Sequence, residues 1–158
     1  MTDSAALVIC YGNELRRDDG AGWAAGEKLA ARLALESASV MSVHQLLPEI
    51  AEPISRASFV IFIDADAQLP PGKIQKLSLQ PESRIGGAIG HHQSPQGLLH
   101  LAGRLYGRAP AALLFSIGGA DFSYGPGLSP QVRTGLKELV ECVIAEIGAL
   151  RQQPQQIC

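Results

Sequence analysis

Ser58–Ile63 (SFVIFI), closed by Asp64, is the stretch on which the fold turns. Five of its six residues are β-branched or aromatic, the side chains that suit a pleated backbone. The run is too short for a helix that buries one stripe, and it has no polar alternation. A strand that is apolar on both sides needs cover on both sides, as in the interior of a parallel sheet.

Working outward, Ala5–Tyr11 (AALVICY) is a second apolar run, stopped by Gly12-Asn13. Ala112–Ile117 is a third, stopped by Gly118-Gly119. Val40–Leu46 reads as a further strand. Lys73–Leu79 (KIQKLSL) alternates polar and apolar, so one of its faces is expected to be wet. Between these runs lie helical segments. Ala21–Leu35 has strong helix composition, and a short helix is expected over Pro48–Ser55. Ser94-Pro95 and Ser129-Pro130 each put serine at an N-cap and proline at the first helical position. The second of these helices carries Val132, Leu136, Leu139, Val140, Val143, Ile144 and Ile147 along one stripe. Alternating strands and helices predict an α/β fold, a three-layer α/β/α sandwich with a mostly parallel sheet of about five strands.

With 158 residues the chain fits one domain, expected over residues 1–150, followed by a polar tail at 151–158 expected to be disordered. Apolar residues make up 46% and charged residues 18%, which excludes intrinsic disorder for most of the chain. A net charge of −2 gives no sign of a nucleic-acid surface or a polybasic membrane patch. No apolar run approaches the roughly 20 residues that span a bilayer, and the first residues lack the pattern of a secretory signal. A cytoplasmic protein is expected, without nucleic-acid or membrane partners. Cys10, Cys142 and Cys158 form no CxxC pair and read as reduced thiols.

In such sheets chemistry collects beyond the carboxyl ends of the strands, and three polar groups fall there. The loop Gly12–Gly22 carries Asp18-Asp19 just before a helix. It is neither a Walker A loop nor a GxGxxG fingerprint, and its acids would repel phosphate. The plainer reading is that Asp18 or Asp19 caps the helix. Asp64 leaves a buried strand and needs a partner there, whether a cation, a metal or backbone N–H groups. Asp66 reads as a loop residue. His91-His92 follow a glycine-rich run and precede the Ser94 cap, with a surface loop as the plainer reading; His44 and His100 have no such context. Two carboxylates and an imidazole converging at one rim would suit zinc or nickel better than copper(I).

The chain resembles the hydrogenase maturation proteases, which trim the C-terminal extension of the [NiFe]-hydrogenase large subunit. The resemblance rests on YGNELRRDDGAG (Tyr11–Gly22), HQLLPEIAE (His44–Glu52), VIFIDA (Val60–Ala65), Pro71-Gly72, HHQSPQGLLHLAGRLYG (His91–Gly107) and YGPGLSP (Tyr124–Pro130), in that order. It implies an α/β/α sandwich with a twisted, mainly parallel sheet. It also implies three metal-contacting residues, Asp19, Asp64 and His91, with His91 preferred to His92 for its distance to the following helix. Cys10-Tyr11 departs from the small glycine-rich step of many members, and the tyrosine is expected to narrow the rim or shift specificity. No GxSxG elbow is present, and nothing marks Cys10 as a nucleophile.

The resemblance further implies an endopeptidase acting on a [NiFe]-hydrogenase large-subunit precursor as partner, with precursor-borne nickel as the recognition signal and no tightly bound organic cofactor. A monomer is expected. Two other readings remain: a non-catalytic nickel checkpoint that binds the immature large subunit, and another metal-dependent hydrolase on the same scaffold.

Overall fold

A computed structural model describes residues 5–34, 37–82 and 93–152. Among these residues, five strands form one sheet: β1 (Ala6–Tyr11), β2 (Ala38–Val43), β3 (Phe59–Asp66), β4 (Ile74–Leu79) and β5 (Ala111–Gly118). Their order is β2-β1-β3-β5-β4, with all neighbours parallel except the edge strand β4, which runs antiparallel to β5. The helices are α1 (Ala21–Arg32), α2 (Ala51–Arg56), α3 (Pro95–Tyr106) and α4 (Pro130–Gln152).

The period-two alternation of strand side chains separates two cores. Val8, Cys10, Ile61 and Ile63 face one side, where Leu29 of α1 and Leu136, Leu139, Val143 and Ile147 of α4 cover them. Leu7, Ile9, Val60 and Phe62 face the other, under Ala51 and Ile54 of α2 and Leu98, Leu99 and Ala102 of α3. This is the expected three-layer sandwich, and β3 is its buried middle. Val60 through Ile63 are wholly buried, so at about 25 cal/mol per Å2 each contributes roughly 1.5–3 kcal/mol relative to exposure. On β4 the four successive residues Gln75, Lys76, Leu77 and Ser78 are exposed, so both faces of this edge strand are wet there, where the alternation predicts only one.

The helix signals around Ser94 hold in detail. Ser94 Oγ accepts a 2.9 Å bond from the Gly97 N–H, and Gly107 closes α3 in the left-handed region at φ 75°. Three boundaries differ from expectation. The strand expected over Val40–Leu46 is displaced toward the N-terminus, because β1 pairs with it from Ala6↔Ala38 to Tyr11↔Val43 and ends there. Leu46 instead buries as a loop residue under the α2–α3 layer. The short helix at Pro48 starts as a 3-10 turn over Pro48–Ile50 before α2. The first helix stops at Arg32 with Leu33 extended, and Leu35 lies outside the described residues. At the other end α4 continues through Gln152, and residues 153–158 of the expected tail lie outside the described residues. Among the described residues no helix is long and apolar enough to cross a membrane.

Candidate active site

Register builds the centre of the site. Alternation sends Val60, Phe62 and then Asp64 of β3 to the α2–α3 face. The pairing Cys10↔Ile63 places Tyr11 beside Asp64 on one flank, and Asp64↔Ser116 places Ser116 on the other. The Tyr11 hydroxyl donates to Asp64 Oδ2 at 2.9 Å, and the Ser116 hydroxyl donates to Oδ1. The partner that Asp64 requires is therefore a pair of hydroxyls from its two neighbouring strands. Burial pushes the Asp64 carboxyl above the ordinary carboxylate range. The Ser116 and Tyr11 hydroxyls pull the other way, and the nearby Asp66 and Asp19 add to the rise. Burial and the Asp64 charge drive the Tyr11 hydroxyl upward, so it stays a protonated donor. The tyrosine that departs from the family's small step thus supports an acid.

The two loop aspartates divide their roles, and neither caps α1. A 3-10 turn over Arg17–Gly20 precedes that helix, and its N-cap is Gly20 without a side-chain bond. Asp18 is fully buried, at 0% exposure. Its Oδ2 accepts from Ala120 N at 2.8 Å, Asp121 N at 3.0 Å and Ser129 Oγ at 2.8 Å, and its Oδ1 accepts from Ser129 N at 2.8 Å. Burial alone would raise its pKa, but these donors overcome it and hold the carboxyl below the usual range. Asp18 is thus the anchor that ties the first loop to the turn before α4. Arg17 helps, donating from Nε to Ser123 Oγ at 3.2 Å and from Nη1 to the Pro126 carbonyl at 3.3 Å, while its own backbone sits at φ 46°. A non-glycine residue in that region costs about 1–3 kcal/mol and persists only where its surroundings hold it.

Asp19 points elsewhere. Its Oδ2 accepts from Asn13 N at 2.8 Å, and it lines an open cleft of about 540 Å3 beyond the ends of β1 and β2. Tyr11, Gly12, Asn13, His44, Leu46 and Gln93 also line that cleft. Gly12 is required there: at φ 143°, a Cβ would lie 2.1 Å from the Asp19 carbonyl oxygen. The structure therefore brings Asp19 and Asp64 to one rim, with Tyr11 between cleft and carboxylate. His91 and His92 lie outside the described residues. Among the described residues, no three His, Cys, Asp or Glu side chains are grouped to hold a metal ion. Asp66 behaves as a turn acid, accepting from Gln68 N at 2.8 Å. Cys10 is buried, and burial, opposed by a bond from Ser42, pushes its thiol up to about 12, which leaves it inert.

Sequence reasoning missed Tyr11 and Ser116 as partners of Asp64, and it set His44 aside. For Tyr11 and Ser116 the missing information was register, which places three residues far apart in the chain in one row. For His44 it was the strand end: β2 stops at Val43, which leaves His44 at the strand's carboxyl end and not inside the strand expected over Val40–Leu46.

An acid-lined rim at the carboxyl edge of an α/β/α sandwich defines the class of domain, and solved structures supply its relatives. The chain is similar to the [NiFe] hydrogenase maturation protease HybD from Thermococcus kodakarensis, at 25% identity and a TM-score of 0.68 over 90% of this chain and 99% of that one. It is similar to the hydrogenase maturating endopeptidase HybD from E. coli, at 22% identity and a TM-score of 0.71 over 92% and 93% of the two chains. A third, the [NiFe] hydrogenase maturation protease HycI from Thermococcus kodakarensis KOD1, gives 17% identity and a TM-score of 0.70 over 91% and 92%. Neither a family model nor a curated protein sequence matches the chain. The resemblance carried by its motifs thus extends to the fold of the hydrogenase maturation proteases along about nine-tenths of its length.

Proposed function

We propose that the chain is an endopeptidase that removes the C-terminal extension of a [NiFe]-hydrogenase large-subunit precursor after nickel insertion. The observation that carries this reading is Asp19 and Asp64 at one rim of a fold shared with maturation proteases. Nickel belongs to the substrate. Asp19, Asp64 and His91 contact it, and that contact positions the scissile bond. The donor set supports this: a carboxylate oxygen holding one hydrogen bond keeps a lone pair free, and both Asp64 oxygens are in that state among the described residues. For His91 the support is indirect. Gln93, two residues further on, lines the cleft, and its N–H donates to the Leu46 carbonyl at 3.2 Å. α3 then begins on the sheet face toward which Asp64 alternates.

A carboxylate of the pair takes the proton of the attacking water, and the contact with nickel holds the peptide carbonyl in its path. The protease works in the cytoplasm as a monomer that meets its client transiently. Intact mass of the nickel-loaded precursor after incubation tests the reading. Loss of a C-terminal peptide is expected with the wild-type protein, and no loss with Asp64→Ala, with His91→Ala or with nickel-free precursor. An uncut nickel-loaded precursor would refute the peptidase reading, and cutting of the nickel-free form would refute nickel as the signal.

A further inference from the structure

The cleft that presents Asp19 also presents an imidazole, His44, to which neither the resemblance nor the proposed nickel contacts give a role. His44 is the first residue beyond β2. The register Tyr11↔Val43, continued by the 3.2 Å bond from Gly12 N to the Val43 carbonyl, sets it beside the Gly12-Asn13 turn. It is exposed and lines the cleft together with Asp19 and Tyr11. Its ring is also backed. The Trp23 indole on α1 lies 5.5 Å away, centroid to centroid, tilted by 57°. The indole is itself fixed by its Nε1–H, which donates to the Gly12 carbonyl at 2.8 Å. A freely solvated surface histidine has no need of such a wall. The other histidine among the described residues, His100, lies on α3 away from this cleft.

Amide hydrolysis needs two proton transfers, one from the attacking water and one to the departing nitrogen, since an amide anion is a very poor leaving group. Carboxylates suit the first. The second wants an acid that is partly protonated near neutral pH, which is the property of imidazole. Resting on the peptidase reading above, we infer that His44 is a catalytic residue that gives its proton to the leaving amine of the client peptide. The step balances. Water adds its oxygen to the carbonyl carbon and its proton to a carboxylate. The C–N bond then breaks, and the nitrogen leaves with the proton of the His44 imidazolium. Proton return from the carboxylic acid through solvent restores both groups, and one water is consumed.

The test compares two nickel-loaded precursors, one natural and one semisynthetic with an ester in place of the scissile amide. An ester oxygen leaves readily without a proton, so it does not need the acid. For His44→Ala and His44→Gln the expected loss on the amide is about 10²–10⁴-fold. On the ester it is expected to stay within about threefold, with unfolding midpoints unchanged, since His44 is exposed. Added imidazole should restore part of the amide rate to His44→Ala. Equal losses on the two substrates would make His44 a structural residue, and amide cutting within threefold of wild type would remove it from the chemistry; either result overturns the assignment. Failure of the wild-type protein to cut either precursor is a different outcome. It refutes the peptidase reading, and the inference falls with it.

Discussion

Replacing Asp18 with asparagine removes one charge and almost no volume from a fully buried position that receives four hydrogen bonds. Three of the four donors converge on Oδ2, so the asparagine amide oxygen will take that place. Its NH2 group then faces the Ser129 N–H, two donors pointing at each other, and one buried N–H loses its acceptor. Leaving such a group unsatisfied costs about 1–3 kcal/mol, and the three remaining bonds lose their charge assistance. The sum is about 2–4 kcal/mol, or roughly 4–16 °C in Tm for a domain of this size. pH sharpens the test. The native pKa of Asp18 lies below its unfolded value. Its contribution is therefore full above the unfolded value near 4 and is lost as pH falls through the lowered native one. Urea unfolding of both proteins at pH 7 and pH 3 should give a wide gap at pH 7 and a narrower one at pH 3. A variant within about 0.5 kcal/mol of wild type at pH 7, inside the range of ordinary surface substitutions, would refute the reasoning. So would a gap that does not change with pH.

Asp64→Asn should abolish processing without destabilising the fold, because the raised pKa means that the ionised carboxylate is penalised at neutral pH. Denaturant unfolding at pH 7 checks this, and a loss above about 1.5 kcal/mol, the usual net value of a hydrogen bond, counts against it. Gly12→Ala forces a Cβ onto the Asp19 carbonyl, so both stability and processing should fall; a variant with wild-type Tm and activity would mean that the first loop is looser than described. Cys10 should resist iodoacetamide in the native protein at pH 8 and react in urea, since it is buried with a thiol pKa near 12. Peptide mass mapping reads the outcome, and fast native labelling would contradict it.

The layers of this fold were legible because burial on both faces leaves a plain mark, the unbroken run Phe59–Ile63, and because Ser94-Pro95 states a helix start chemically. What sequence could not supply was neighbourhood across strands. Tyr11, Asp64 and Ser116 are separated by about fifty residues at each step and meet only through register. The DDG step was legible as acidic but not as divided. Adjacent residues on a tight turn point in different directions, and which one is buried depends on a loop more than a hundred residues away. β4 read correctly as a strand but not as one with a single wet face: Gln75–Ser78 are exposed on both sides, because β4 lies at the far edge, beyond β5, and that is topology no local pattern encodes.

The Asp18 anchor also orders events in time. Its acceptors are filled from Ala120, Asp121 and Ser129, so the first loop can settle only after the last third of the chain is in place. Closing a loop of that span costs entropy before it returns any contact. A nascent chain that has not yet delivered Ser129 carries the Asp19 residue but has no fixed cleft in which to present it. The acidic rim is therefore among the last parts of the molecule to assemble, and it cannot be fixed before Ser129 has been delivered.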